Sequence, residues 1–491
     1  MSIGALFAAA PLIVLALAGL VCLLALSFSR RKASSAFAVC SGGLALGLAS
    51  SIFLSLPRMG ASVSGLLSMD GLSFIGTTII LACSLAIALA SRPHLARREG
   101  ERGEYYSLLL FAALGGCVLA SAASLATIFL GLELLSVSLY ALVAYGRASA
   151  EAEKAAFTYL ILASAASAFL LFGMGLAYYQ CGSLDLARIT RAAADSPSAL
   201  WDVSFAMVGI GFAFKLALAP FHMWAPEVYE GASAGAAAVV ATVSKAAMVL
   251  PLARILALAE TAGTKAGPAI VWTVAALAGA SMVAGNLLAL REERVKRMLA
   301  GSSIAQLGYL LVALAAGGVY GRGTALFYLA AYTLSTLGAF SCVAALSWGE
   351  APRELFRGLA GRRPLVAAVM TASLLSLAGM PLTAGFVGKF LLFGAGARSG
   401  TATRILVFLL AVNSALSMFY YLRLVSLMYR KAESVDAEAK EAGPSQMAAK
   451  RAKEGSLLAG AALALVGLAI LAIGLAPGGL IEAVSTLISR G

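Results

Sequence analysis

Charge is scarce in this sequence: 12% of the 491 residues are Asp, Glu, Lys or Arg, about half the share of an ordinary soluble domain. Histidine is scarcer still. Of the two present, His94 lies in a charged stretch and His222 in an apolar one, which argues against a bis-histidine haem. The six cysteines, Cys22, Cys40, Cys83, Cys117, Cys181 and Cys342, are scattered singly, mostly inside apolar runs. Without a CxxC spacing or a Cys/His cluster, the chain is not expected to hold zinc or an iron–sulfur cluster. No glycine-rich loop follows a strand, and Gly394–Gly400 closes an apolar run and reads as a turn. No cofactor or metal is therefore expected here. The N-terminus also lacks a basic n-region and a cleavage site, so the first apolar helix is expected to be retained.

What the chain has is apolar length. Hydrophobic residues make up 61%, and the mean hydropathy is +0.92. Apolar runs such as Pro11–Phe28, Phe74–Ala90 and Leu457–Leu475 are near the roughly 20 residues a helix needs to cross a bilayer. In hydrocarbon every backbone group must be satisfied internally, so only helices or a closed barrel can span. Barrel strands would alternate polar and apolar over about ten residues. The pattern here is continuous, and the fold class is all-α and polytopic.

Fourteen spans are predicted, near 4–28, 36–56, 71–91, 105–122, 124–146, 154–180, 203–230, 235–258, 267–290, 303–320, 323–347, 364–397, 403–429 and 455–476. With the N-terminus outside, the inner segments hold 23 of the 36 Lys and Arg and the outer ones hold 8, counting Lys154 as inner and Arg404 as outer. The basic clusters Arg30–Lys32, Arg92–Arg102, Arg291–Arg297, Arg353–Arg363 and Arg430–Lys453 all fall inside. This is the positive-inside pattern, and it accounts for the net charge of +13 without nucleic acid.

The chain reads as one membrane domain. Residues 1–104 carry the first three helices, 105–258 a first repeat, 267–429 a second, 430–454 a cytoplasmic loop or surface helix, and 455–491 the last helix and tail. The repeats are suggested by two spans interrupted in the same way. The seventh has Lys215 five residues before Pro220, and the twelfth has Lys389 eight residues after Pro381. Proline removes a donor and clashes with the preceding turn, so both spans should break in mid-membrane. Their separation by five helices implies two inverted five-helix repeats, spans 4–8 and 9–13.

Six charges lie well inside spans: Glu133, Lys215, Lys245, Arg254, Lys389 and Arg423. A charge at a helix centre costs about 2.5–3.5 kcal/mol on insertion scales, so such residues usually face a bundle interior and pair. Arg254 and Arg423 are close enough to span ends to snorkel. The other four are the candidate site. A static Glu133–Lys215 pair that assists helix association is one reading; proton transfer is the other. Burial disfavours the charged form of a lysine and a nearby carboxylate favours it, so displacing the carboxylate would release the proton. Arginine, which practically never deprotonates, could not do this. Ser136, Ser138, Thr242, Ser244, Ser302, Ser303, Gln306 and Thr383 could hold water for a relay. His222, just past Pro220, is either a proton-uptake group or an interfacial cap.

At these residues the chain resembles a family. FLGLELLSVSLYALVAY (129–145), GFAFKLALAPFHMWAPEVYEGA (211–232), ATVSKAA (241–247), RVKRMLAGSSIAQLGYLLVAL (294–314) and GMPLTAGFVGKFLLF (379–393) are similar to the antiporter-like membrane subunits of respiratory complex I, NADH:quinone oxidoreductase. Within that family they resemble the subunit N branch, counterpart of mitochondrial subunit 2. The likeness spans nearly the whole chain. It implies fourteen helices, inverted repeats, and a proton channel driven by electron transfer in other subunits, where NADH, FMN, iron–sulfur clusters and quinone reside. It implies M-type, K-type, J-type and A/H-type membrane subunits as partners and a bacterial inner (plasma) membrane as the location.

Carried over residue by residue, Glu133 resembles the key glutamate of the fifth helix and Lys215 its partner on the broken seventh. Lys245 resembles the central lysine of the eighth helix and Lys389 the terminal lysine of the broken twelfth. Gln306, in SSIAQLGY, departs from relatives that often carry histidine. Lys296 matches a family lysine, but its basic surroundings favour a topological role. The same family contains subunits of cation/proton antiporters and membrane-bound hydrogenases, the alternative reading.

Overall fold

The computed structural model describes residues 3–28, 32–95, 103–145, 150–263, 267–347, 349–431 and 446–489. Among these, thirteen helices are long and apolar enough to cross a membrane. They coincide with every predicted span except the twelfth, which is two 15-residue half-helices, Pro364–Ala378 and Ala384–Arg398. The eighth span (Ala234–Ala241 and Val243–Thr261) and the tenth (Val295–Ala316) are almost wholly buried at the centre. The first (Ala10–Phe28) and the last (within Gln446–Leu475) are mostly exposed at the periphery.

Both predicted breaks are present, and each has a local cause. The seventh span runs from Ala199 to Leu216 and ends on Ala217 in the left-handed conformation. Pro220 then supplies no donor, and the chain re-enters a helix at Trp224–Gly231. Trp224 Nε1 donates to Phe214 O at 3.0 Å, a last-turn carbonyl that also accepts from Ala217 N, and so ties the two halves together. The first half of the twelfth span ends at Gly379, with φ +84°, where glycine carries no steric penalty. The halves then cross tightly: a Cβ on Gly385 would stand 1.8 Å from Ser376 O.

Matched close packing recurs 170 residues apart. Gly115 and Gly131 bring the fourth (Glu104–Ser121) and fifth (Leu125–Val143) spans into backbone contact. Gly285 and Gly301 do the same for the ninth (Gly267–Arg291) and the tenth. Loop contacts follow suit: Leu125 N donates to Leu184 O at 2.8 Å, and Val295 N to Ala351 O at 3.0 Å.

Several expectations are corrected. A short antiparallel hairpin, Ala61–Val63 with Leu67–Met69, stands between the second and third spans, and a further helix, Gly478–Ser489, follows the last span. The tenth helix starts at Val295 rather than near 303, so Lys296 is fully buried instead of lying in a basic turn. Arg254 does not snorkel. It holds both Asp70 oxygens at 2.7 Å and Ala122 O at 2.5 Å, pinning the hairpin to the fourth–fifth connection. Arg423 is exposed, as expected. Of the expected cytoplasmic loop 430–454, residues 432–445 lie outside the described residues, and a helix has begun by Gln446. Residues 30–31 and 96–102 of the basic clusters also lie outside them.

Candidate functional site

Lys215, Lys245 and Lys389 are 2%, 0% and 4% exposed, which confirms burial of the three lysines. None makes an ion pair with a carboxylate among the described residues, where such pairs include Arg254–Asp70, Arg294–Glu230, Arg297–Glu292 and Arg322–Glu260. Glu133 and Lys215 therefore do not form the direct pair considered from sequence. Glu133, half-buried on the fifth span, accepts from Ser167 Oγ of the sixth (Ala150–Cys181) at 2.7 Å. Lys215 Nζ donates instead to Ser136 Oγ and Tyr159 OH, each at 2.8 Å. Between these two sets lies a cavity of about 10 Å³ lined by Ser136, Ser167, Gly211, Phe214 and Lys215, on the order of one water's space.

Lys245 Nζ donates to the backbone carbonyl of Lys215 at 2.8 Å. Lys389 Nζ donates to Leu377 O, Ala378 O and Ser414 Oγ, all at 2.9 Å. The carbonyls of Lys215, Leu377 and Ala378 belong to the last turns of half-helices, before Ala217 and Gly379. Helix C-termini expose carbonyls without helical partners and carry partial negative charge. The breaks thus supply counter-charge in direct contact, and at Lys215 the Glu133 carboxylate adds to it from beyond ion-pair distance. Aromatic faces add to it: Lys245 lies 4.8 Å from the Trp224 ring, Lys215 4.9 Å from Tyr159 and Lys389 5.0 Å from Tyr309.

From Lys245 towards Lys389 the polar groups run through the tenth span. Tyr332 OH donates to Ala241 O at 2.8 Å, beside the bend that splits the eighth span at Thr242, and meets Ser303 Oγ at 2.6 Å. One turn on, Gln306 Nε2 donates to Leu377 O at 2.9 Å, the carbonyl that also accepts from Lys389. Tyr328 OH donates to Gln306 Oε1, and Tyr421 pairs with Ser302.

Other sequence candidates are less central. Ser138 bonds its own helix at Leu134 O, Thr383 closes the turn onto Met380 O, and Ser244 Oγ is buried with no partner among the described residues. His222 sits partly buried at the break, its Nδ1 without a partner among those residues. Sequence reasoning missed Tyr159, Ser167, Tyr309, Tyr328, Tyr332 and Ser414. Their only signal was a tyrosine or serine in mid-span, which is common at membrane helix interfaces.

A polytopic helix bundle whose broken spans aim their carbonyl ends at buried lysines is a membrane protein with a polar file through its core. The chain belongs to the NADH:quinone oxidoreductase/Mrp antiporter transmembrane family, whose model matches residues 122–417. It is 39% identical over 439 residues to an NADH-quinone oxidoreductase subunit N of Ectopseudomonas mendocina, covering 87% of each chain. Identity to the Methylococcus capsulatus subunit N is 38% over 501 residues, covering 99% of this chain and 96% of that one. A chain of respiratory complex I from Thermus thermophilus superposes with a TM-score of 0.80 at 33% identity, covering 96% of this chain and 99% of that one. One from the Mrp complex of Dietzia gives 0.84 at 22%, covering 99% and 97%, a likeness of fold alone.

Proposed function

We propose that this chain is the proton-translocating subunit N of an NADH:quinone oxidoreductase, with electron transfer and the NADH, FMN, iron–sulfur and quinone sites in other subunits. The observation that carries the reading is the file of buried lysines held by helix-end carbonyls and hydroxyls rather than by carboxylates. A charge so held keeps the option of leaving as a proton, because no fixed anion is stranded when it does. Identities of 38–39% to chains named subunit N support that branch.

In this reading Glu133 communicates with Lys215 through Ser167 and one water in the cavity beside Ser136. Lys245 is the middle station, joined to Lys215 through its carbonyl. Ser303 and Gln306 lead on to Lys389, which faces the far end. Gln306 has no titratable proton and hands over only through water or Tyr328. Thr242 and Ser244 flank the bend before Lys245, and His222 is a secondary relay candidate at the Pro220 break. The matched glycine contacts support repeats at 105–258 and 267–429, with Pro220 and Pro381 at equivalent breaks. The chain would lie in a bacterial inner membrane, N-terminus outside, among M-type, K-type, J-type and A/H-type neighbours.

The test is the whole complex in proteoliposomes with Lys245→Ala. NADH-driven proton uptake into the vesicles should fall while the complex remains assembled. Wild-type pumping per NADH in an assembled variant sinks the relay.

A further inference from the structure

Outside the lysine file, the least accounted-for charge is Glu230. Its side chain is 8% exposed, and neither carboxylate oxygen has a hydrogen-bond donor among the described residues. It ends the second half of the broken seventh span, on the basic side of the bundle. Arg294, half-exposed in the turn between the ninth and tenth spans, approaches Glu230 Oε1 to 3.5 Å. Lys296, fully buried, does not bind the carboxylate closely; its Nζ donates to Glu230 O at 2.5 Å and Ala232 O at 2.9 Å. That ammonium caps the C-terminal carbonyls of the half-helix and fixes Glu230 in place. The other charged groups in range are Arg297 and Glu350. A carboxylate without donors, against a guanidinium that reaches water, is costly as a static element.

A line of hydroxyls starts at the neighbouring residue in the chain. Tyr229, the preceding residue, places its OH 3.3 Å from Ser303 Oγ, which meets Tyr332 OH at 2.6 Å. Tyr332 reaches Ala241 O at the bend one turn before Lys245. Ser303 lies seven residues beyond Lys296, on the same face of the tenth helix and roughly 10 Å further in.

We propose that Glu230 takes up protons for this chain from the basic side and passes them along Tyr229, Ser303 and Tyr332 toward Lys245. The inference rests on the relay reading above. In the step, an O–H bond forms on Glu230 as bulk water or hydronium gives up a proton. The carboxylic acid then yields that proton to the hydroxyl and water chain, each member giving one as it receives one. A neutral Lys245 amine takes the last, leaving carboxylate and ammonium. Lys296 is a positioning residue.

The experiment compares purified complexes in proteoliposomes carrying Glu230→Gln, Glu230→Asp, Arg294→Ala and Lys245→Ala, reading NADH:quinone turnover and protons moved per NADH, with and without azide as a small diffusible acid. The expected result is a several-fold loss with Glu230→Gln, substantial retention with Glu230→Asp, and restoration of the Gln variant by azide. Lys245→Ala should lose pumping without restoration. Wild-type turnover and pumping in Glu230→Gln overturns the proposal. So does a loss that azide does not restore and that Arg294→Ala reproduces with less assembled complex, because a structural pair would behave that way. Normal pumping by Lys245→Ala would instead overturn the relay reading itself.

Discussion

Lys245 donates its ammonium to the backbone carbonyl of Lys215 at 2.8 Å. Two lysines are thus joined through a peptide group, with the carbonyl end of a broken helix between their charges. Two like charges so close disfavour one another, and the carbonyl offsets part of that. A proton gained at one site weakens its hold at the other, which couples neighbouring stations without a carboxylate.

Replacing Lys215 with arginine keeps the charge and removes the capacity to lose it. The planar guanidinium also cannot reproduce the ammonium's two 2.8 Å bonds to Ser136 and Tyr159. Pumping by the assembled complex is expected to fall about as far in Lys215→Arg as in Lys215→Ala. Proton uptake by proteoliposomes, normalised to assembled complex on native gels, checks this, and wild-type pumping by the arginine variant would refute it.

Tyr159→Phe keeps the ring under Lys215 and deletes one acceptor. Leaving a buried donor unpaired costs about 1–3 kcal/mol, applied here to the charged form of the lysine. Ser167→Ala removes the donor to Glu133 and part of the cavity wall between Glu133 and Lys215. Both variants should assemble normally and pump several-fold more slowly. The double variant should lose less than the product of the two, as expected for neighbours on one path.

Arg254 and Asp70 predict a different outcome. With side chains 8% and 15% exposed and Nη2 reaching both carboxylate oxygens, breaking the pair from one side should cost about 3–5 kcal/mol. Arg254→Ala should lower the amount of complex and its melting temperature. Pumping per assembled complex should stay near wild type. A pumping defect in fully assembled material would instead place Arg254 in the relay.

Gly301→Leu should prevent assembly outright. Even the first carbon of a side chain there would lie 2.7 Å from Ala289 N and 2.8 Å from Gly285 O, so helices must part rather than side chains turn. Overpacking of one methylene typically costs about 1–3 kcal/mol, and leucine adds several. Gly209→Leu, where a Cβ meets nothing within 4 Å among the described residues, is the control that should assemble. Blue-native electrophoresis of membranes carrying each variant checks the pair.

Much of this protein is determined by its sequence alone. Apolar runs that can cross a bilayer only as helices fixed the fold class, and loop charge pointed to an orientation. Proline in mid-span marked both broken helices, because a missing donor and a clash act through local geometry. The lysines were recognisable as central because a buried charge is expensive wherever it stands. Tertiary structure decided what each charge touches. Glu133 and Lys215 looked like a pair and instead take separate hydroxyl partners across a one-water gap. Lys296 looked like a surface lysine until the tenth helix began two turns early. The carbonyls that receive Lys245 and Lys389 carry no sequence signature at all, since every residue has one. Only the packing of one broken helix against its neighbours determines which carbonyls stand open and which ammonium reaches them.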